Sequence, residues 1–278
     1  MRILVLGGSG SLGSDLVPIL SAKHTVLAPG HAEVDLLRSD SLRAAIDKAR
    51  ADAVVNAAAM ADVDRCEREP ARAWDLNSDA VRWLAQVCRE RNATLVQIST
   101  DYVFDGKKGA PYVESDRTRP VQVYGKSKLQ GEKNALDVAG KAVVVRTSWL
   151  FARKGKNFPN KVLAAARTGG EIKAVSDWFG SPTSTVDLSR AIGTLLEGAA
   201  TGIFHVVNEG VQSRLEQANE ILAAVGAGNK ATVSAISSAT LLDLPAARPR
   251  FTALASERAA AAGVHMRPRA EAVREFVS

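Results

Sequence analysis

Tyr124 and Lys128 stand four residues apart in the string Tyr124-Gly125-Lys126-Ser127-Lys128. On a helix that spacing puts a phenol and an ammonium on one face. An unperturbed phenol, with a pKa of about 10, is a poor acid or base at neutral pH, and a neighbouring cation that stabilises the phenolate lowers that value. The pair is therefore expected to act as a tuned proton donor with Lys128 depressing the tyrosine pKa. Because Tyr-x-x-x-Lys also arises by chance on solvated helices, the reading depends on the elements that carry it.

Those elements alternate. β-type apolar runs at Arg2–Leu6, Thr25–Ala28, Ala53–Asn56, Thr94–Ser99 and Ala142–Arg146 are separated by segments of helical period such as Asp40–Arg50 and Pro70–Arg91. This pattern predicts an α/β fold with a Rossmann-type doubly wound parallel sheet. Continuous runs such as Val143-Val144-Val145 fit strands buried on both faces. Pro18 falls inside the expected first helix and should kink it or end it early. After Trp149 the elements shorten, and Val186–Glu197 returns to helical period. The chain thus reads as a dinucleotide-binding domain over residues 1–150, with 184–200 packing back on it. A smaller, discontinuous substrate lobe is expected from 151–183 and 201–278.

Directly after the first strand comes Gly7-Gly8-Ser9-Gly10-Ser11-Leu12-Gly13, a G-x-x-G-x-x-G string opening a helix. Glycines let the backbone turn sharply and approach a pyrophosphate, and the free amides of the helix start bind its charge. Gly7, Gly10, Ser11, Leu12 and Gly13 are the expected cofactor contacts. The second strand ends in Leu27-Ala28-Pro29-Gly30, without the acid that would bind a ribose 2′-hydroxyl, so NADPH is favoured and NADH is the alternative. Asp35 and Leu36 are expected at the adenine, and Ala59, Met60 and Ala61 against the cofactor ribose.

Composition narrows the class. The chain has 278 residues, 46% of them hydrophobic, enough for a full core without disulfides or metals. Its two cysteines, Cys66 and Cys88, have no metal or redox spacing, which fits a reducing compartment. The chain opens on a strand, leaving no room for a signal segment, and no apolar run approaches the ~20 residues of a membrane span. A cytoplasmic protein without a membrane partner is expected. The net charge of +6 is dispersed over sites such as Lys107-Lys108, Arg153-Lys154-Lys156 and Arg267/Arg269, and aromatics make up only 5%. Nucleic acid is therefore not an expected partner.

Longer strings carry a specific resemblance: Val55-Asn56-Ala57-Ala58-Ala59, Val63-Asp64-Arg65-Cys66-Glu67, Ser99-Thr100-Asp101-Tyr102-Val103-Phe104-Asp105-Gly106, Val123–Glu132, Arg146-Thr147-Ser148-Trp149 and Asp177–Thr183. With these in order, the chain resembles the dTDP-4-dehydrorhamnose reductase family of extended short-chain dehydrogenases/reductases. The resemblance implies reduction by NADPH of the 4-keto group of a dTDP-linked 4-keto-6-deoxy sugar, dTDP-4-dehydro-β-L-rhamnose, to dTDP-L-rhamnose. It implies Tyr124 as proton donor, Lys128 on the nicotinamide ribose and Thr100 polarising the carbonyl. It further implies that Asp101 accepts sugar hydroxyls and that Trp149 gives the 6-deoxy sugar an apolar wall. Tyr102, Phe179 and Arg248 are weaker pocket candidates, Arg248 as a partner for the pyrophosphate.

Two departures qualify the resemblance. Where the family pattern is Arg-Pro-x-Asn-Ser-x-Leu, this chain has Arg248-Pro249-Arg250-Phe251-Thr252-Ala253-Leu254, which puts part of the sugar contact in question. Some members dimerise through a magnesium site made of acids; Asp15 occupies one such place, but Val186 stands at another, so no metal is expected and the assembly is read as monomer or homodimer. Elimination is disfavoured because Tyr102, not an acid, follows Asp101. The rivals are a sugar-nucleotide 4-epimerase, a reductase of another 4-keto-6-deoxy sugar, and a non-catalytic cofactor-binding subunit.

Overall fold

The computed structural model describes residues 1–155, 157–241 and 243–278; Lys156, one of the dispersed basic residues, lies outside them. The five apolar runs form β1 (Arg2–Leu6), β2 (Thr25–Leu27), β3 (Ala53–Asn56), β4 (Thr94–Thr100) and β5 (Ala142–Thr147). Short strands follow: β6 (Leu150–Phe151), β7 (Gly170–Val175), β8 (Phe179–Gly180), β9 (Thr183–Ser184), β10 (Gly202–His205), β11 (Gln212–Ser213) and β12 (Ala231–Ile236). The first-half helices are α1 (Gly13–Ser21), α2 (Ser39–Ala49), α3 (Val63–Arg68), α4 (Pro70–Trp74), α5 (Ala80–Glu90) and α6 (Val123–Val138). They are followed by α7 (Phe158–Thr168), α8 (Thr185–Glu197), α9 (Arg214–Val225), α10 (Glu257–Ala261) and α11 (Arg269–Val277).

The main sheet is wholly parallel in the order β2-β1-β3-β4-β5-β10. Strand order reverses between β1 and β3, and the crevice beyond the strand ends at that point is where doubly wound folds bind ligands. Both faces of the sheet are covered, which explains the unbroken apolar runs. Ile3 and Val5 pack with Leu16 and Leu20 of α1 and Leu188 and Ile192 of α8. Leu4 and Leu6 point the other way, to Leu42 and Ile46 of α2 and Leu84 of α5. A second core, with Phe151, Val162, Ile221 and Phe276, joins α7, α9 and α11 to the β7–β12 pair.

Three sequence expectations change. Gly202–His205 was placed with the substrate lobe, yet as β10 it pairs with β5 and closes that edge of the main sheet. Ala259, Val264 and Met266 join the same core. The helix holding Pro18 continues through it to Ser21, so the proline does not end it early. Pro18 removes a donor to the preceding turn, and the helix stops within a turn beyond it. Pro70–Arg91 is interrupted by a π-helical turn, Asp75–Asp79, between α4 and α5. No helix among the described residues is long and apolar enough to cross a membrane.

Candidate active site

The glycine string forms the predicted turn at the carboxyl end of β1. Gly7 has φ +81°, and a Cβ there would sit 2.8 Å from the Ala58 nitrogen; one on Gly13 would lie 2.3 Å from the Gly7 carbonyl oxygen. Backbone therefore fills the places where side chains would stand. No side chain caps α1, and among the described residues the Ser11 and Leu12 amides donate to no protein acceptor. Such a turn fits a dinucleotide pyrophosphate. Beside it, Gly7, Ser9, Gly30, His31, Leu36 and Ala58 line a crevice at the end of β2 with no carboxylate among its lining residues. Leu36 thus reaches the crevice. The Asp35 carboxylate accepts the Leu37 amide at 2.9 Å. Of the three residues expected at the ribose in the loop after β3, Ala59 and Ala61 are exposed while Met60 turns inward against Cys66. The Asn77 side chain holds both Met60 backbone groups, at 3.0 and 3.1 Å. The π-helical turn is what aims Asn77 at this loop, a use such turns often have.

Tyr124 and Lys128 lie in the first turns of α6, as their spacing predicted. Several devices fix where that helix begins. The Gln122 side chain caps it by accepting the Gly125 amide at 3.1 Å, and Glu67 accepts the Val123 amide at 2.7 Å. A Cβ on residue 125 would lie 2.0 Å from the Tyr102 carbonyl oxygen, so only glycine lets α6 approach the end of β4 this closely. Lys128 is buried and its Nζ donates to the Ile98 carbonyl at 2.6 Å. Burial lowers the ammonium to about 8, against which the Glu132 carboxylate acts.

The expected lowering of Tyr124 is not what its surroundings give. Burial pushes the phenol up, above its ordinary value, and the neighbouring Thr100 hydroxyl offsets part of that rise. Tyr124 is thus held in its protonated form. Its ring packs edge-on to Tyr102, centroids 6.2 Å apart.

Thr100 ends β4 and is buried. Its hydroxyl accepts the Tyr102 amide at 3.1 Å and donates to Asp101 at 3.0 Å. Asp101, 3% exposed, also accepts the Thr252 hydroxyl. Burial raises its carboxyl to about 6, while the Thr252, Thr100 and Ser148 hydroxyls act the other way. Thr252 belongs to the string that departs from the family pattern, and it keeps a hydroxyl where that pattern has serine. Phe251, in the asparagine's place, packs against Phe179 with centroids 5.9 Å apart. The Phe179 amide donates to the Arg250 carbonyl at 2.7 Å, and the Thr252 amide donates to the Phe179 carbonyl at 3.0 Å. The departing string is therefore stitched to the Asp177–Thr183 motif.

Arg248, expected to hold a pyrophosphate, is engaged elsewhere. Its guanidinium pairs with Asp64 at 2.9 Å and donates to the Ala246 carbonyl at 2.8 Å. Asp64 in addition accepts the Ala246 amide, so the Val63–Glu67 string clamps the C-terminal segment with Asp64 and α6 with Glu67. Trp149 takes a left-handed conformation, φ +45°, rare for a bulky residue. It lies where Gly180 leaves no room for a Cβ, 2.6 Å from the indole. Its wall is only partly apolar, because the Arg214 guanidinium lies 3.6 Å from the indole ring centroid.

Sequence reading missed Arg214, Thr252, Asn77 and a buried ion pair under the site. Glu132 of α6 receives two bonds from Arg146 of β5, at 2.9 and 2.7 Å, and the Ser99 hydroxyl at 2.5 Å. Arg146 also reaches the His205 ring at 3.4 Å. His205 lies within 3.0 and 3.1 Å of the Tyr112 and Ala255 carbonyls, so Nδ1 carries its proton, and burial lowers the ring to about 3. The pair was signalled only by two charges inside otherwise apolar elements. Among the described residues no group of His, Cys, Asp and Glu could hold a metal; Asp15 accepts the Thr185 hydroxyl.

Comparison with known proteins agrees with this geometry. The family described as "RmlD substrate binding domain" matches residues 1–278. A dTDP-4-dehydrorhamnose reductase of Streptomyces griseus is 39% identical over 95% of this chain and 88% of its own length. A dTDP-4-keto-6-deoxy-D-glucose reductase of Streptomyces niveus is 39% identical over 75% of this chain and 73% of its own. The crystal structure of the Bacillus anthracis dTDP-4-dehydrorhamnose reductase in complex with NADP superposes with a TM-score of 0.94 at 30% identity, covering 99% of this chain and 98% of that one.

Proposed function

Because the chain belongs to the dTDP-4-dehydrorhamnose reductase family, we propose that it reduces the 4-keto group of dTDP-4-dehydro-β-L-rhamnose with NADPH, yielding dTDP-L-rhamnose, and that Tyr124, Lys128 and Thr100 do the chemistry. The observation that carries the assignment of roles is the close approach of the start of α6 to the carboxyl end of β4, where a Cβ on Gly125 would meet the Tyr102 carbonyl; it brings Tyr124 to the strand end that carries Thr100, with Lys128 one helical turn further along and bonded to the Ile98 carbonyl. Bound at the glycine turn, NADPH supplies a hydride to the sugar C4. Tyr124 holds its proton until charge develops on the carbonyl oxygen and then releases it there, so no free alkoxide forms. The Thr100 hydroxyl, which here gives its single proton to Asp101 at 3.0 Å, turns that proton to the same oxygen or to the tyrosinate left behind as charge develops. Lys128, fixed by the Ile98 carbonyl, brings positive charge beneath the phenol and has two further N–H bonds for ribose hydroxyls. Asp101 orients Thr100 and accepts from the sugar. The absence of a carboxylate in the crevice at the end of β2 supports NADPH over NADH. Buried, unpaired Cys66 and Cys88 support a reducing, cytoplasmic setting.

The test is loss of NADPH absorbance when the purified protein meets enzymatically generated dTDP-4-dehydrorhamnose, with the product read by NMR and Tyr124→Phe as control. Stoichiometric oxidation to dTDP-L-rhamnose, lost in the variant, is the expected result. A second reading takes another dTDP-linked 4-keto-6-deoxy sugar as substrate. It draws on the Phe251–Phe179 contact, which puts an aromatic pair where the family pattern has an amide, and on the Streptomyces niveus relative. Turnover of such a sugar, with dTDP-4-dehydrorhamnose left untouched, selects it.

A further inference from the structure

Arg214 opens α9 on the sugar side of the cleft, one aromatic ring beyond the catalytic tyrosine. Tyr102 is edge-on to Tyr124, and the charges of Arg214 and Asp101 both act on Tyr102. The guanidinium stacks on Trp149 at 3.6 Å and lies 5.2 Å from the Phe158 centroid. Its position is fixed by Gln217, fully buried, whose Oε1 accepts from Nη1 at 2.7 Å. Among the described residues no carboxylate pairs with it, whereas Arg248, the other arginine acting on Tyr102, is neutralised by Asp64. Arg214 is half-buried, a guanidinium partly withdrawn from water without a counter-charge is unfavourable, and burial lowers it to about 10. An anion arriving with the substrate would supply the missing charge.

We propose that Arg214, stacked on Trp149, is the residue that binds the diphosphate of the nucleotide sugar and so sets the requirement for a nucleoside-diphosphate substrate. This rests on the nucleotide-sugar reading above and names the group that recognises the ligand's charge. The planar fork of arginine suits phosphate oxygens bidentately, and stacking orients that fork before the ligand arrives. With one Nη1 donor given to Gln217, Nη2 and Nε remain for the phosphate. The geometry of the ligand agrees: with its ketone at Tyr124 and Thr100, a hexose directs its anomeric oxygen, and the phosphate on it, away from them across the ring. The cofactor's pyrophosphate has its own donors at the glycine turn, so the two anions are held by different means.

The test is calorimetric titration of the NADPH-loaded protein and of its Arg214→Gln and Arg214→Lys variants with dTDP and with thymidine, and of the NADPH-free proteins with NADPH. Arg214→Gln is expected to weaken dTDP by about ten- to a hundred-fold, to leave thymidine and NADPH unchanged, and to be partly rescued by lysine. Unchanged dTDP affinity in Arg214→Gln overturns the proposal, as does an equal loss for thymidine, which would mean that Arg214 only props Trp149. If the unaltered protein binds dTDP no better than thymidine, the nucleotide-sugar reading falls with it; if it binds dTDP well and the glutamine variant does too, only the role of Arg214 falls.

Discussion

At the glycine turn the protein offers backbone: Gly7 and Gly13 have no room for a Cβ, and the Ser11 and Leu12 amides just before α1 donate to no acceptor among the described residues. Across the cleft it offers side chains instead, with Thr252 on Asp101, Phe251 on Phe179 and Arg214 on Trp149. Backbone recognition demands glycine at fixed places and tolerates little else, whereas a pocket of side chains can be refitted one residue at a time. On the proposed assignment the cofactor side is thus built for a constant ligand, and the sugar side is where relatives with different keto sugars diverge.

The largest expected break falls between the two sides. Tyr124→Phe should lower the rate of ketone reduction by about 10²–10⁴-fold while NADPH titration shows unchanged affinity, because the lost hydroxyl belongs to the chemistry and not to the turn. Glu132→Ala should strike both sides together, since that carboxylate ties α6 to β5 and leaves Arg146 buried and unpaired when removed. A loss of about 3–5 kcal/mol in urea unfolding is expected. Gly13→Ala should act on the backbone side alone. The added carbon meets the Gly7 carbonyl, and strain of about 1–3 kcal/mol should weaken NADPH binding while leaving the affinity for dTDP in place. A Gly13→Ala variant that binds NADPH normally would erase the contrast.

A subtler effect comes from pH. The His205 ring sits at about 3 in the folded protein against an ordinary 6.5, so between those values the unfolded chain binds the extra proton. Stability contributed by the neutral ring is full above pH 6.5 and is lost as pH falls toward 3. His205→Gln should therefore lose less stability than the unaltered protein on acidification from pH 7 to 4, measured by urea midpoints at each pH. Parallel pH profiles would show that the ring is not held neutral by its burial.

How much of this could be read from the sequence follows the same division. The glycine turn, the strands and the Tyr124–Lys128 helix carry dense local signals, because tight turns, apolar runs and helical spacing are properties of neighbouring residues. Each of the five predicted strands ends within a residue of its expected limit. Arg214 has no such signature: nothing in its neighbours in the sequence singles it out, and its meaning comes from Trp149, 65 positions away in the chain. Nor could neighbouring residues show that Arg248 pairs with Asp64, which lies in a distant motif. The tyrosine's electrostatics failed for a related reason. Sequence spacing puts a cation near Tyr124 but says nothing about depth, and burial outweighs the neighbour.

The sixth strand has a consequence for how the molecule comes into being. Because β10 pairs with β5, the strand ending just before Trp149 cannot be covered until the ribosome has made residue 205, and the nascent chain must carry an open, apolar β5 edge while the intervening segment is synthesised. α8, which covers one sheet face, arrives only shortly before. The cofactor half is therefore not a cassette that can be cut at residue 150 and moved to another protein; a transplant would need to take α8 and β10 with it.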